Sequence, residues 1–265
     1  VKLMKKLFSY LILSSLIELF SCSQENTIMD GSNVSGSAEK TFTVQGQPYD
    51  LSKSTIKGIK TIYATKSADT SNGGDPNFTM DDIQFWVGTG TNKAALVIEW
   101  HDGKTPDALV WGYKWNGDAY GIDMIREIVK ADPRMIFLTH MTGPLGYTIA
   151  GFGYNINKTG SHYLIYNNDT NNPKYPVDGI VNTNAYNYDD WTYSDSADHW
   201  KAGWYNGYWS YWTKDSLSVA WEYSSWGASS RKLINGSWDG WSFLDDMSQW
   251  EGNQLGSQFS GALPN

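Results

Sequence analysis

Strict alternation of side chains along short aromatic runs is the feature of this chain that most limits its fold. From Ala108 to Trp115 every second residue, Leu109, Trp111, Tyr113 and Trp115, falls on one face, with Val110, Gly112, Lys114 and Asn116 on the other. That is the period of an extended strand with a heavily aromatic side. The apolar run Ala95 to Trp100 precedes it, and the stretch from His101 to Asp107 has turn composition, so the two runs are predicted to pair as an antiparallel hairpin. The pattern recurs at Tyr208 to Thr213, a turn at Lys214-Asp215-Ser216, and Leu217 to Tyr223, where Leu217, Val219, Trp221 and Tyr223 alternate with Ser218, Ala220 and Glu222. Strand character also marks Thr41 to Val44, Ile59 to Tyr63, Arg134 to Thr139 and Gly146 to Asn155. In the last of these, Gly146, Gly151 and Gly153 predict a bulge or a close backbone approach. Helical spacing is found at Asp118 to Ala131, with Ile122, Met124, Ile125, Ile128 and Val129 on one side, Asp118 as the expected cap and Asp132-Pro133 as the stop. The expected class is therefore mainly β, an antiparallel β-sandwich with one amphipathic helix.

Residues 1–21 carry Lys2, Lys5 and Lys6 ahead of an apolar stretch from Leu7 to Phe20, too short for a stable membrane span and laid out like a secretion signal. Leu19-Phe20-Ser21-Cys22 resembles a lipoprotein signal, so Cys22, the single cysteine of the chain, is expected to carry the lipid. Residues 22–40 are rich in Ser, Gly, Asn and Glu and read as a flexible tether, because so few apolar side chains cannot offset the entropy of ordering. The expected location is the outer membrane, lipid-anchored and facing the cell exterior. Loss of the leader removes three lysines and one glutamate, so the net charge of -8 becomes -10, a balance that repels nucleic acid and anionic headgroups. The Asn- and Pro-rich segment from Tyr166 to Asp178 admits two arrangements. It is either a hinge between β domains at 41–165 and 179–265, the favoured reading, or a long loop within one domain.

Of the 14 tryptophans, 10 lie between Trp191 and Trp250, more indoles than an ordinary core of this length needs. Indole and phenol rings offer a flat apolar face and one polar atom, which suits ligands that are planar with polar edges. The expected binding surface comprises His199, Trp200, Trp204, Tyr208, Trp209, Trp212, Trp238 and Trp241, joined by His101, Tyr113, Trp115 and Arg231. Catalysis is not expected. The pairs Asp81-Asp82, Asp189-Asp190 and Asp245-Asp246 are sequence neighbours of the kind found in turns, and there is no nucleophile elbow, phosphate-cradling glycine loop or cysteine nucleophile apart from Cys22. The four histidines, His101, His140, His162 and His199, have no metal-ligand spacing, so no protein-made metal site is expected. A neutral imidazole beside aromatic walls can still bind a metal carried by a ligand, and His199 and His101 are the candidates placed where a ligand could reach them.

The strings Val97-Ile98-Glu99-Trp100-His101-Asp102-Gly103, His199-Trp200-Lys201-Ala202-Gly203-Trp204 and Asn235 to Phe243 resemble secreted bacterial β proteins. Within that group the lipid-anchored members look like the vitamin B12-capturing surface lipoproteins of gut Bacteroidetes (the BtuH type), over roughly residues 84–245. The resemblance implies a β-sandwich that binds cobalamin as cargo, a histidine on the corrinoid cobalt, with His199 as the leading candidate, and hand-over to a TonB-dependent outer-membrane transporter. The alternative is a glycan-binding lipoprotein of a polysaccharide-uptake system, whose tryptophans stack on pyranose rings. Haem capture uses the same histidine-plus-aromatic logic.

Overall fold

The alternating run forms a strand along its whole predicted length. The computed structural model describes residues 43–44, 47–48, 75, 77–141, 146–158, 160–184, 186–246 and 255–264. The expected leader, Cys22, the tether and the strand at Ile59 to Tyr63 lie outside the described residues. In chain order the elements are β1 (Thr43–Val44), β2 (Gln47–Pro48), β3 (Trp86–Gly88), β4 (Asn92–Glu99), β5 (Ala108–Trp115), α1 (Gly121–Ala131), β6 (Met135–Met141), β7 (Tyr147–Tyr154) and β8 (Leu164–Tyr166). They continue with β9 (Ile180–Asn182), β10 (Trp191–Tyr193), β11 (His199–Ala202), β12 (Tyr208–Lys214), β13 (Glu222–Tyr223), β14 (Trp238–Leu244) and β15 (Phe259–Gly261).

Strands β4 and β5 pair antiparallel in full register, Asn92 opposite Trp115 and Glu99 opposite Ala108, as the sequence predicts. They sit inside a seven-stranded sheet of order β13-β12-β14-β4-β5-β15, with β3 also against β5. A second sheet has the order β11-β7-β6-β9, and the β8–β10 pair is separate. The two main sheets face each other across one core. Leu96, Ile98 and Trp111 contribute from the larger sheet, Phe137 and Phe152 from the smaller, and Ile125 and Ile128 from α1. The architecture is mainly β with one α-helix among the described residues, but the sheets are mixed, because β14 joins β4, β3 and β15 join β5, and β9 joins β6 in parallel.

Strands from both sides of the 166–178 segment share both sheets: β14 with β4 in one, β11 with β7 in the other. Residues 41–265 form one compact unit, so this segment is a long loop inside it, and the favoured hinge between a 41–165 domain and a 179–265 domain gives way to the other arrangement. The expected strand from Leu217 to Tyr223 shrinks to β13, two residues long, with Leu217 and Val219 exposed. The two edges of β12 are used unequally. β12 spends its whole length on β14, Tyr208 opposite Leu244 through Lys214 opposite Trp238, and takes β13 only at Trp212 and Thr213.

Helix α1 starts at Gly121, later than predicted, and its first turn is held by Asp123, whose carboxylate accepts the Tyr120 N–H at 2.9 Å. Asp118 does not cap it; that side chain pairs with Lys232 at 2.9 Å. At the other end the Asp132 N–H closes the last turn on the Ile128 carbonyl, and its buried carboxylate accepts the Trp111 indole N–H at 3.0 Å and two Arg134 N–H groups at 2.8 Å. The expected irregularity in β7 is present. The register with β6 shifts between Leu138 and Thr139, leaving Ala150 as the extra residue beside Gly151.

Candidate functional site

An open aromatic wall requires the indoles of the C-terminal half to face solvent, and most do not. Trp209 is fully buried, Tyr208, Trp238 and Trp241 are 1% exposed, and Trp212, Tyr113 and Trp115 stay below a tenth. Alternation selected the right faces but not what covers them. Trp209 and Trp241 point into the core between the sheets, where Trp209 meets Phe152 edge-on at 5.1 Å and Trp241 stacks on Tyr211 at 4.1 Å. Trp212 and Trp238 lie on the opposite side of the same sheet, and that side is covered too, by Leu255, Phe259 and Phe78. Tyr113 stacks on Trp115 at 5.6 Å. These seven residues are interior filler, which corrects their assignment to a ligand surface.

Arg231 is likewise occupied, donating to Asp215 at 2.8 Å and lying 3.5 Å from buried Asp239. Asp239 also accepts the Tyr211 hydroxyl. Asp239 therefore belongs to a buried network, and burial, partly offset by Arg231, pushes its carboxyl up to about 6.

The β4–β5 tip brings the distinctive strings together, but as packing. His199 is sealed at 0% exposure, stacked on Trp100 at 4.5 Å and 15°, with Nδ1 3.0 Å from Asp102. Asp102 also holds Lys104 at 2.9 Å and accepts the Trp200 N–H at 3.3 Å. Burial raises the Asp102 carboxyl, but hydrogen bonds from His199 and Lys104 outweigh it and hold the group well below the usual carboxylate range. His199 Nε2 is buried without a hydrogen-bond partner, so no external ligand can bond it unless the rings above it part.

His101 is half-buried between two carboxylates, Glu99 at 3.1 Å from Nε2 and Asp107 at 3.3 Å from Nδ1, with Ser242 Oγ also 3.0 Å from Nε2. Burial alone would lower its pKa, yet the bonds from Asp107 and Glu99 raise it to about 10. At neutral pH His101 is therefore held as an imidazolium by its two carboxylate partners. Ser242 makes the group look like a serine–histidine–acid relay. Its hydroxyl is fully buried and donates to Glu99 at 2.7 Å, so a substrate cannot approach it in this conformation. Glu99, also fully buried, accepts the Gly256 N–H at 2.9 Å and the Ser257 N–H as well, tying the C-terminal segment to the sheet. Glu99, His101 and Asp107 are the one group among the described residues with metal-ligand geometry, an arrangement that the spacing of the histidines in sequence did not reveal.

One histidine remains beside open aromatic rings, and it is His140. It is the next-to-last residue of β6, half-buried beside exposed Met141, with Nδ1 3.3 Å from the Tyr188 hydroxyl oxygen. Tyr186 stands edge-on to it at 4.8 Å, Trp204 lies 6.0 Å beyond Tyr186, and Tyr205 next in sequence is 74% exposed. Asp189 fixes this turn by accepting the N–H groups of Trp204, Tyr205 and Asn206 at 3.1, 3.0 and 2.9 Å. Burial pushes the Tyr188 phenol up, so it stays protonated at neutral pH. If Nδ1–H donates to the Tyr188 oxygen, Nε2 keeps its lone pair, and no described residue occupies it. Of the predicted ligand residues, Trp204 belongs to this cluster. Trp200 is half-buried nearby but committed to structure, its indole N–H on the Trp191 carbonyl at 2.9 Å and its ring over Gly153, where a Cβ would meet ring atoms at 3.0 Å. His162 is bonded to the Tyr193 hydroxyl at 2.9 Å, and burial lowers its pKa.

Sequence reasoning passed over Tyr186, Tyr188, Asp189 and Tyr205, and it ranked His140 below His199 and His101. The available signal was the aromatic string around Tyr186, Tyr188 and Trp191. No protein-family model matches the chain, nor does any curated protein or solved structure.

Proposed function

We propose that this protein is a lipid-anchored surface protein that captures a planar, ring-shaped small molecule on the His140–Tyr186–Trp204–Tyr205 face, with cobalamin as the candidate ligand, and passes it to an outer-membrane transporter. The single observation that carries the reading is the half-buried imidazole of His140, oriented by the Tyr188 hydroxyl and bordered by rings that remain accessible. A corrinoid presents an axial metal position perpendicular to its ring, and a neutral imidazole nitrogen suits that metal while Tyr186 and Trp204 supply apolar contact to the macrocycle. His140 is preferred to His199, which is sealed, and to His101, whose two ring nitrogens both face carboxylates.

Titration with cyanocobalamin, followed by tryptophan fluorescence, tests the reading. Saturable quenching at micromolar ligand, weakened at least tenfold in Trp204→Ala, is the expected result. No quenching in the micromolar range sinks the cobalamin reading. A Soret band on purification points instead to haem, and quenching by neutral oligosaccharides that survives His140→Ala points to the glycan reading, which needs the rings but no imidazole.

A further inference from the structure

The side of the seven-stranded sheet that Leu255, Phe259 and Phe78 cover, apart from the His140 face, is not covered throughout: exposed Lys93 and half-buried Lys114, Lys214 and Trp86 reach solvent, with the lysines set on indoles. One row across the strands runs Lys214, Trp238, Ala95, Gly112, Trp86, and the adjoining row on the same face sets Lys93 directly opposite Lys114. The Trp86 ring lies flat on Gly112, where a Cβ would stand 2.3 Å from the ring, so only glycine admits it. Its indole N–H is fixed on the Ile83 carbonyl at 3.0 Å. Lys93 Nζ and Lys114 Nζ sit 5.6 and 5.1 Å from the centre of that half-buried ring, and Lys214 Nζ sits 4.9 Å from Trp221 and 5.1 Å from Trp238.

Three cations are thus placed together in a chain of net charge -8, yet the lysines that pair with carboxylates among the described residues are Lys104, Lys201 and Lys232, none of these three. Like charges directly opposite on neighbouring strands repel. Burial also lowers the pKa of Lys214 to about 8, and no carboxylate among the described residues pairs with it. Lys214 on β12 and Lys114 on β5 are separated by three strand spacings, roughly 15 Å. A single small anion cannot bridge that span, but a polymer with a charge on every one or two sugar units can, while offering a pyranose face to Trp86.

We propose that this lysine–indole strip binds an anionic polysaccharide, with carboxylate or sulfate groups on Lys93, Lys114 and Lys214 and a sugar ring against Trp86. The strip is separate from the His140 face, and the two stand or fall independently.

Binding of the purified protein to polygalacturonate, heparin, dextran and single-stranded DNA, measured by calorimetry at low and high salt, tests it. At least one of the two anionic glycans is expected to bind, with affinity falling steeply as salt rises, and dextran is expected not to bind. The triple variant Lys93→Gln, Lys114→Gln, Lys214→Gln is expected to lose at least tenfold in affinity. Lys130→Gln on the helix and His140→Ala are expected to change nothing. Exposed Lys93→Gln alone, expected to lose severalfold, keeps the test decisive if the triple variant fails to fold. Failure of both anionic glycans to bind at low salt overturns the proposal, as does unchanged binding in the folded lysine variants. So does tighter binding of DNA than of either glycan, or of dextran equal to theirs.

Discussion

At the scale of single residues, His101 shows how local charge can reverse the effect of burial. Its folded pKa of about 10 lies above the ordinary value of 6.5 because Asp107 and Glu99 both accept from the ring. A raised pKa contributes stability that is complete below pH 6.5 and is lost as pH rises through about 10. The melting temperature should therefore fall between pH 7 and 10, and His101→Gln should flatten that slope; an equal slope in the variant would contradict the assignment. The carboxylates run the other way. Glu99, Asp102 and Asp107 are held below their ordinary values, so their contribution is present above roughly pH 4 and lost in acid. Asp132 is the second residue with a large expected effect, because it satisfies buried Arg134 and Trp111 at once. Asp132→Ala strands a buried guanidinium and should cost about 3–5 kcal/mol in urea unfolding. Both sets of carboxylates stand in plain view in the sequence around Trp100 and Pro133, but their roles depend on partners up to 158 positions away, as with Glu99 and Ser257, and no local pattern reveals that.

At the scale of elements, local periodicity was a good guide wherever the partner is also local. The β4–β5 hairpin and helix α1 follow from alternation and from helical spacing, the helix with its expected buried face and the hairpin buried on both faces. Ile125→Ala in α1 should destabilise by about 2–5 kcal/mol, since the side chain is 1% exposed between the sheets, while exposed Glu127→Ala should change little. Chemical denaturation of the pair checks this, and equal effects would mean that the helix does not pack as described. Alternation misled at Leu217 to Tyr223, where the same pattern belongs largely to a loop with Leu217 and Val219 exposed and only Glu222 and Tyr223 pair with β12. The parallel joining of β14 to β4 and of β9 to β6 is set by long-range packing, so it was not legible.

At the scale of the whole molecule, a fold with two sheets, a helix and outer covering layers has several buried faces to fill, and the tryptophans fill them. This explains why counting indoles overstated the ligand surface: the count reported volume to be packed and said nothing about exposure. Trp226, 59% exposed, is the clear exception among the described indoles. Limited N-bromosuccinimide oxidation followed by peptide mass mapping should modify Trp226 well ahead of Trp209, Trp238 and Trp241; early oxidation of those three would reopen the aromatic wall. With most described rings committed to the interior, the capture site proposed for a planar ligand narrows to one imidazole and the rings beside it. The central claim is tested most directly by titrating aquocobalamin and following its visible absorption. The account predicts that the band shifts as imidazole replaces the axial water in the wild-type protein and in His101→Gln, and that the shift is lost in folded His140→Ala. A shift that persists without His140, or none in the wild type, would contradict it.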